Sequence, residues 1–309
     1  MRRRVLLATI LSCAIGVSVP ASATFSGDNG RILYGRLDAD FDFVVRSVLS
    51  DGTGGTRMDL PSSTWDAGWS ADGGTIVYSQ GFQQRARISI FDTTTGDRTP
   101  VLDADDFDEP LYLIRSVALR PTGDELVFCA EFRRDERLHL FTVGTDGSYL
   151  SMISGDRSLC FADWSSTGRI AAATEGRKVR VFTLDPDGSD VELVTQLPPP
   201  TSTDRIILVQ PSWSPDGQSL TFAAQAGRLR SDIWLIDADG TDLRRFTDSR
   251  SGWEHSPRFA PDGGSIVFHR DGGGPFGSGD LWIKALSGGR TRLTDTPQLD
   301  EFAFSWQAV

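Results

Sequence analysis

Residues 210–247 read QPSWSPDGQSLTFAAQAGRLRSDIWLIDADGTDLRRFT and form one complete copy of the repeat from which the chain is built. Gln210 to Trp213 predicts an inner strand. Ser214-Pro215-Asp216-Gly217 predicts a tight turn, because proline presets φ, aspartate bonds its own backbone and glycine adopts a positive φ. Three short apolar runs follow, separated by a variable loop and by the hairpin turn Asp237-Ala238-Asp239-Gly240-Thr241. The stretch therefore predicts a four-stranded β-unit.

The spacing of this repeat recurs along the whole chain. Five internal copies place an apolar anchor four residues before a glycine: Trp69 and Gly73, Leu119 and Gly123, Trp164 and Gly168, Trp213 and Gly217, and Phe259 and Gly263. A sixth copy is split, with its anchor in Phe304-Ser305-Trp306 and its turn and strand in residues 29–34. Pairing of the last strand with the first unit would close a ring and remove open sheet edges. We therefore predict an all-β fold, a six-bladed β-propeller closed by pairing of the C-terminal strand with the N-terminal blade.

The N-terminus has the features of an export signal. Basic Arg2-Arg3-Arg4 precedes an apolar run from Val5 to Val19, and Ala21-Ser22-Ala23 fits the small-x-small pattern of signal peptidase sites. We predict a signal peptide at residues 1–23, one propeller domain at residues 24–309, and export to the periplasm or the cell exterior. A retained membrane anchor is the alternative.

Charge and cysteine content limit the partners and the compartment. Without residues 1–23 the chain has 28 basic and 42 acidic residues, which argues against nucleic acid or an anionic membrane surface as the main partner. We expect a monomer without a cofactor. Cys129 and Cys160 fall in neighbouring repeats, in an export context that permits oxidation. Spacing alone leaves a disulfide and two buried free thiols as open alternatives.

Two of the copies, at residues 211–247 and 257–294, resemble the TolB-like propeller repeat, a WD-repeat-like motif. The signature of that repeat is an apolar-x-Trp-Ser-Pro-Asp-Gly turn, an Ile-Trp or Ile-Tyr strand, an Asp-Gly turn and a Leu-Thr ending. Ile233-Trp234, Asp239-Gly240 and Leu293-Thr294 match its later parts. The resemblance implies a propeller alone, without the N-terminal α/β domain that full-length TolB proteins of the Tol-Pal envelope system carry.

Function is expected in the loops, where the copies differ. Loops that join second to third strands gather on one face of a propeller around the channel mouth. These loops hold 11 basic and 10 acidic residues, so they are nearly neutral. The rest of the exported chain holds 17 basic and 32 acidic residues. The candidate carboxylate- or phosphate-binding residues are Arg85, Arg87, Arg133, Arg134, Arg137, Arg228 and Arg230. Solvated loop charges are the alternative. Trp65 and Trp253 lie outside the repeat register. Their rings could stack on a sugar or peptide, and burial under a loop is the alternative.

A second candidate site lies where the ring closes. Glu254 and Glu301 each fall five residues before an anchor, on predicted neighbouring blades, and His255 and Asp300 adjoin them. Two carboxylates and an imidazole at a channel mouth could bind a cation or act as acid and base. Residues that are only exposed or salt-bridged are the alternative.

The remaining polar motifs are interpreted as structural. His139 and His269 are most simply strand residues. The acidic segments 185–190 and 237–242 place glycine at the fourth position and lack a glutamate at the twelfth, so they fit hairpin turns and not EF-hand calcium loops. We predict no catalytic residue and no metal site.

Three functions compete at this point. The first is an exported, non-catalytic module that binds a protein, a peptide or an envelope glycan. The second is a carbohydrate-active hydrolase or lyase with a site at the channel mouth. The third is a purely structural spacer. The chain has no Gly-x-Ser-x-Gly motif, which argues against a serine hydrolase.

Overall fold

The computed structural model of the chain describes residues 24–37, 43–135, 137–174, 180–197, 209–227, 230–249, 252–271, 279–296 and 299–309. The predicted signal peptide and Arg228 lie outside the described residues. The described residues contain 24 β-strands and two three-residue 3₁₀ helices, Gln83–Arg85 and Ala104–Asp106. The predicted all-β class is confirmed. In the described part of the chain, no helix is long and apolar enough to cross a membrane.

Three groups of four consecutive strands form separate antiparallel sheets, which we call units two, three and four. Unit two contains β4 (Thr64–Trp69), β5 (Thr75–Gln80), β6 (Arg87–Asp92) and β7 (Arg98–Asp103). Unit three contains β8 (Leu111–Leu119), β9 (Glu125–Phe132), β10 (Leu138–Gly144) and β11 (Ser151–Met152). Unit four contains β12 (Cys160–Trp164), β13 (Ile170–Ala173), β14 (Arg180–Leu184) and β15 (Glu192–Gln196).

The other twelve strands share one sheet, which divides into units five, six and one. Unit five contains β16 (Ser212–Trp213), β17 (Ser219–Gly227), β18 (Arg230–Asp237) and β19 (Arg244–Arg245). Unit six contains β20 (Gly252–Phe259), β21 (Ser265–Asp271), β22 (Gly279–Ala285) and β23 (Arg290–Arg292). Unit one contains β24 (Asp300–Ala308), β1 (Asn29–Leu37), β2 (Phe43–Leu49) and β3 (Thr56–Arg57).

Short parallel pairings join these three units. β18 pairs with β20 at Ser231 and Trp253, and β22 pairs with β24 at Gly279 and Asp300. Within unit one, β24 runs antiparallel to β1 from one end of the two strands to the other. Strands from both ends of the chain therefore lie side by side, and each first strand of a unit contacts the first strand of the next.

The five internal repeat anchors end the first strand of their units and are buried. All five internal turn glycines adopt the predicted positive φ, between +67° and +85°. The split copy differs from the expectation, because Gly30 lies inside β1 without a positive φ. The physical reason is that the chain ends fall between its anchor and its strand, so no tight turn has to connect them. A Cβ at Gly30 would instead lie 2.9 Å from the carbonyl oxygen of Gln307.

The first strands also carry a repeated irregularity. Ser116, Phe161, Gln210 and Ser256 each stand three residues before an anchor and adopt φ between +41° and +61°. The pairing register shifts beside three of them, which marks β-bulges. Bulges of this kind re-aim side chains, here on the strands that meet at the centre of the molecule.

A disulfide joins Cys129 to Cys160, with their Cα atoms 5.2 Å apart. It ties β9 of unit three to β12 of unit four, and both cysteines are buried in an apolar cluster that includes Trp164. Of the two alternatives left open by spacing, the structure therefore contains the disulfide.

Candidate functional site

An aromatic row crosses units one, two and three. The ring of Trp65 lies 4.5 Å from that of Phe82 in an edge arrangement, and Phe82 lies 6.3 Å from Tyr112. On the other side, Trp65 stacks on Phe43 at 6.0 Å, and Phe43 lies 5.9 Å from Phe304. Phe304 is fully buried, whereas Phe82 and Tyr112 are 41% and 36% exposed. The row therefore runs from the interior to an exposed apolar surface, and half-buried Trp65 stands in its middle.

A glycine makes room for the inner end of this row. A Cβ at Gly35 would lie 2.2 Å from Cζ of Phe43 and 2.5 Å from Cζ of Phe304. Contacts this short do not occur between carbon atoms, so any larger residue at position 35 would displace both rings.

Four of the predicted arginines belong to segments next to the exposed end of the row. Arg85 ends the 3₁₀ helix that begins next to Phe82, and that helix contacts β8, which carries Tyr112. The backbone N–H of Arg133 donates to Pro110 O at 3.0 Å, which brings the β9–β10 loop to the same place. All four are exposed and form no ion pair with any described residue: Arg85, Arg87, Arg133 and Arg134.

Two of the other predicted arginines have partners within the described chain. Arg137 Nε lies 3.4 Å from Asp135 Oδ1. Arg230 is half-buried, and its Nη1 donates to Ser249 O at 2.8 Å. These two arginines hold loops in place, because their charge is already used within the fold. Arg228 lies outside the described residues.

The closure cluster is organised by a residue that sequence analysis interpreted as structural. His269 Nδ1 lies 2.6 Å from His255 Nε2, and His269 Nε2 lies 3.1 Å from Asp300 Oδ1. His255 Nδ1 is 2.8 Å from Ser256 Oγ. The ring of Phe302 lies within 6 Å of both imidazoles. His255 and His269 thus lie in a row between Ser256 in unit six and Asp300 in unit one, with a hydrogen bond at the first two contacts and a 3.1 Å approach at the third.

The donor and acceptor roles along these contacts depend on which ring nitrogen of each histidine carries the proton. Both ring nitrogens of His255 are engaged inside the protein. This arrangement joins two units, and the acid–base hypothesis for His255 stays a prediction.

Glu254 and Glu301 occupy equivalent places at successive unit junctions and have separate partners. Glu254 is buried, and its Oε1 lies 3.6 Å from Arg270 Nε. Burial raises its pKa, with a further rise from Asp232, against the lowering effect of the Thr247 hydroxyl and of Arg270. Glu301 on β24 stands opposite Arg36 on β1, just as Glu254 on β20 stands opposite Arg270 on β21.

Burial also raises the pKa of Glu301, and Asp280 adds to the rise, while Thr294, Thr296 and Arg36 oppose it. The predicted grouping of Glu254, Glu301 and His255 into one cation site is not what the geometry shows. Among the residues that the structure describes, no group of three or more His, Cys, Asp or Glu side chains is placed to hold a metal.

A third cluster lies among the first strands at the centre of the molecule. It consists of Asp66, Asp163 and Arg258, from units two, four and six, and all three are buried. Each bonds to the next unit around the centre. Asp66 Oδ2 accepts from Val117 N at 2.9 Å, and Asp163 Oδ2 accepts from Trp213 N at 2.7 Å. The third bond runs from Arg258 Nε to the carbonyl oxygen of Phe304 at 2.9 Å.

Burial dominates the electrostatics of this central cluster. It raises the pKa of Asp163 to about 7 and that of Asp66 well above its ordinary value, although Arg258 lowers both. The pKa of Arg258 is itself lowered by burial. Asp66 Oδ1, Asp163 Oδ1 and Arg258 Nη2 have no hydrogen-bond partner within the described chain.

Comparison with known proteins identifies the architecture. No family model matches the chain. The Tol-Pal system protein TolB of Anaeromyxobacter dehalogenans (strain 2CP-C) is 28% identical over 134 residues, which are 43% of this chain and 28% of that protein. The crystal structure of TolB from Acinetobacter baumannii aligns with a TM-score of 0.69 at 15% identity, over 99% of this chain and 71% of that one. The β-propeller domain of the Trilobed protease from Pyrococcus furiosus aligns with a TM-score of 0.54 at 13% identity, over 90% and 83%.

The chain is a TolB-like β-propeller. Its match spans less than a third of the length of the curated TolB relative. An oligogalacturonate lyase in complex with manganese also shares the fold, with a TM-score of 0.60 at 14% identity, over 89% of this chain and 77% of that one. At such identities the structural likeness shows the fold alone.

Several important residues of this TolB-like propeller were not singled out from the sequence. Phe82 and Tyr112 lie in variable segments, and only three-dimensional adjacency of units two and three shows that they belong with Trp65. The sequence does give a signal for the central cluster, because Asp163 and Arg258 each stand one residue before an anchor, and Asp163 lies in a strand that is otherwise apolar. Charged residues at such positions are costly unless paired.

Proposed function

We propose that this chain is an exported, non-catalytic six-bladed propeller, closed by the pairing of β24 with β1, whose loop face binds a protein or peptide partner. The observation that carries the proposal is the exposed end of the aromatic row with four arginines in the segments next to it that form no ion pair with described residues. Protein-binding surfaces are enriched in aromatic residues and arginine. We name this surface, formed by Trp65, Phe82, Tyr112, Arg85, Arg87, Arg133 and Arg134, the aromatic–arginine face.

Charge favours an acidic, partly apolar partner. The exposed guanidinium groups offer paired N–H donors to carboxylates, and the rings of Phe82 and Tyr112 offer apolar contact area. The rest of the exported chain is strongly acidic, so an acidic partner is repelled elsewhere and guided to this face. The relative named above is a Tol-Pal system protein. We therefore propose a protein component of such an envelope system as the partner, and the periplasm as the location.

The test is direct binding between residues 24–309 and purified Pal protein from the same source, measured by calorimetry. Phe82→Ala with Tyr112→Ala should weaken binding about 30-fold, the loss of a 2 kcal/mol hot spot. Tyr149→Ala is the matched control, because Tyr149 is 91% exposed and lies in a hairpin turn of unit three. Equal Kd values for the double variant and the control would contradict the proposal.

The arginines give an independent arm of the same test. Arg133→Glu with Arg134→Glu should abolish binding and change the free energy of unfolding by less than about 1 kcal/mol, since both residues are exposed. Arg57→Glu is the control, because Arg57 is exposed at the outer strand β3. Binding that survives the double charge reversal would exclude this face. Binding of glycan in place of Pal would retain the face and change the partner class.

A carbohydrate-active hydrolase or lyase is the second candidate function. The observations that favour it are the buried carboxylates Glu254 and Glu301 with raised pKa, and the lyase that shares the fold. Perturbed carboxylates are candidates for acid–base roles. Incubation with oligogalacturonate, with and without manganese, should release products that Glu254→Gln abolishes if this function is correct. No turnover by the wild type would leave the binding function alone.

A further inference from the structure

The N-terminal segment of the described chain enters the centre of the propeller. Thr24 and Phe25 are each 4% exposed. Phe25 packs in the cluster of units three and four with Ala118, Trp164 and Ala308. Just after it, Ser26 Oγ donates to Pro215 O at 2.9 Å. The segment therefore passes the turn of unit five and ends among first strands.

Thr24 is connected to the central cluster through one hydroxyl. Its Oγ1 lies 3.1 Å from Ser212 Oγ. Ser212 directly precedes Trp213, whose backbone N–H donates to Asp163 Oδ2 at 2.7 Å, and the Ser212 hydroxyl lowers the pKa of Asp163. The side chain of Thr24 is thus bonded to the residue next to a hydrogen-bond donor of a buried carboxylate. The α-nitrogen of a threonine stands only two bonds beyond its Cβ, so it belongs to the same neighbourhood.

The central cluster has two carboxyl groups and one cation. Arg258 brings the single guanidinium, and burial still raises the pKa of both Asp66 and Asp163, so a second cation would allow both to ionise. One Oδ1 atom on each carboxylate is buried and has no hydrogen-bond partner within the described residues. Buried charges in proteins are normally paired, and buried acceptors are normally bonded. The cluster therefore fits a small donor group with one positive charge.

We propose that the central cluster is a binding site for a primary ammonium group, and that the α-ammonium of Thr24 fills it after export. The inference rests on the predicted cleavage after Ala23. Hydrolysis of the Ala23–Thr24 peptide bond by signal peptidase leaves a carboxylate on the signal peptide and an ammonium on Thr24. That ammonium would bring three donors and a second positive charge, so the cluster would be neutral with both carboxyl groups ionised. Export processing would thus complete the interior of the fold.

Periodate tests the placement of the amine directly, because it oxidises an N-terminal threonine only where the free amine and the hydroxyl are both accessible. The protein is the exported chain, with its N-terminus identified by mass spectrometry. We expect oxidation at least 100-fold slower in the folded protein than in urea. Asp163→Asn should accelerate the folded-state reaction at least tenfold, and Asp187→Asn, in an exposed hairpin, should not.

A second measurement keeps the inference testable if Asp163→Asn perturbs folding. A Gly-Ser extension before Thr24 should lower the Tm of the wild type by several degrees and that of the Asp163→Asn variant much less. Equal Tm losses, a folded-state oxidation rate equal to that in urea, or an exported N-terminus at another residue would each overturn the inference. None of these readouts depends on partner binding, so the proposed function stands or fails separately.

Discussion

Replacement of Arg258 by methionine should destabilise the propeller in a pH-dependent manner. The substitution keeps most of the buried side-chain volume and removes the guanidinium that lowers the pKa of both Asp66 and Asp163. Breaking a buried ion network from one side costs about 3–5 kcal/mol, because the remaining charges are left uncompensated. We expect a loss of that size at pH 9, where Asp163 is ionised.

The sign of the pH effect follows from the raised pKa of Asp163. The folded value of about 7 lies above the unfolded value of 3.8, so the folded chain binds the proton more tightly. Without an ammonium group in the cluster, the free energy of unfolding therefore rises as pH falls through that window, by about 4 kcal/mol for Asp163. Removal of Arg258 raises the pKa of Asp163 further, by about one unit. The destabilisation should then shrink by about 1.4 kcal/mol between pH 9 and pH 5.5, as Asp163 takes up a proton.

Urea unfolding monitored by tryptophan fluorescence at pH 9 and pH 5.5 measures both quantities. Arg57→Met is the matched control, since Arg57 is exposed, and it should change stability by less than about 0.5 kcal/mol at either pH. An Arg258→Met penalty that is the same at both pH values would refute the electrostatic reasoning. It would show that Arg258 acts through packing and its hydrogen bond to Phe304 alone.

Three further predictions concern the fold. The Cys129–Cys160 disulfide closes a loop of 31 residues, so its loss should lower the free energy of unfolding by about 3.7 kcal/mol through loop entropy. Equal urea midpoints for the oxidised and reduced protein would contradict this. Gly35→Ala should cost about 1–3 kcal/mol through overpacking, whereas Gly55→Ala, where a Cβ meets nothing within 4 Å, should cost little in the same assay. Truncation before Asp300 removes β24 and exposes the edge of β1, so circular dichroism should show an unfolded chain, and a folded one would exclude ring closure through this pair.

The repeat could be predicted from sequence because its chemistry is local. A glycine such as Gly217 must take a positive φ where the chain turns within four residues, and a buried anchor such as Trp213 must follow an apolar strand. Spacing alone carries this information. Gly30 does not adopt the positive φ of the other repeat glycines, because its copy is divided between the chain ends. Its neighbours in space are residues such as Gln307, more than 270 positions away in sequence.

The candidate sites could be predicted only in part, because they depend on contacts between units. Trp65 stood out as a tryptophan outside the repeat, yet its partner Phe82 comes from a loop without any pattern. Glu254 and Glu301 were found by aligning copies, but the same equivalence places them at two different junctions. His269 looked like a strand residue until the parallel pairing of Gly279 with Asp300 brought a carboxylate to its Nε2.

Phe304 connects the central cluster to the aromatic–arginine face. Its carbonyl oxygen accepts from Arg258 Nε at 2.9 Å, and its ring lies 5.9 Å from Phe43, the inner end of the aromatic row. A shift of β24 on loss of Arg258 would therefore move Phe304 and, through it, Phe43, on which Trp65 stacks. If the two regions are coupled, Arg258→Met should weaken partner binding, although residue 258 is buried away from the partner.

Calorimetry at pH 9 and pH 5.5 would measure this coupling, with Arg57→Met again as the control. Binding should weaken by about fivefold or more at pH 9, where Asp163 carries a charge without a guanidinium beside it, and recover at pH 5.5, where Asp163 is protonated. The partner's own titration cancels in the ratio of variant to wild type at each pH. A ratio near one at both pH values would show that Phe304 holds its position without the guanidinium, and that the cluster stabilises the propeller without influencing its binding face.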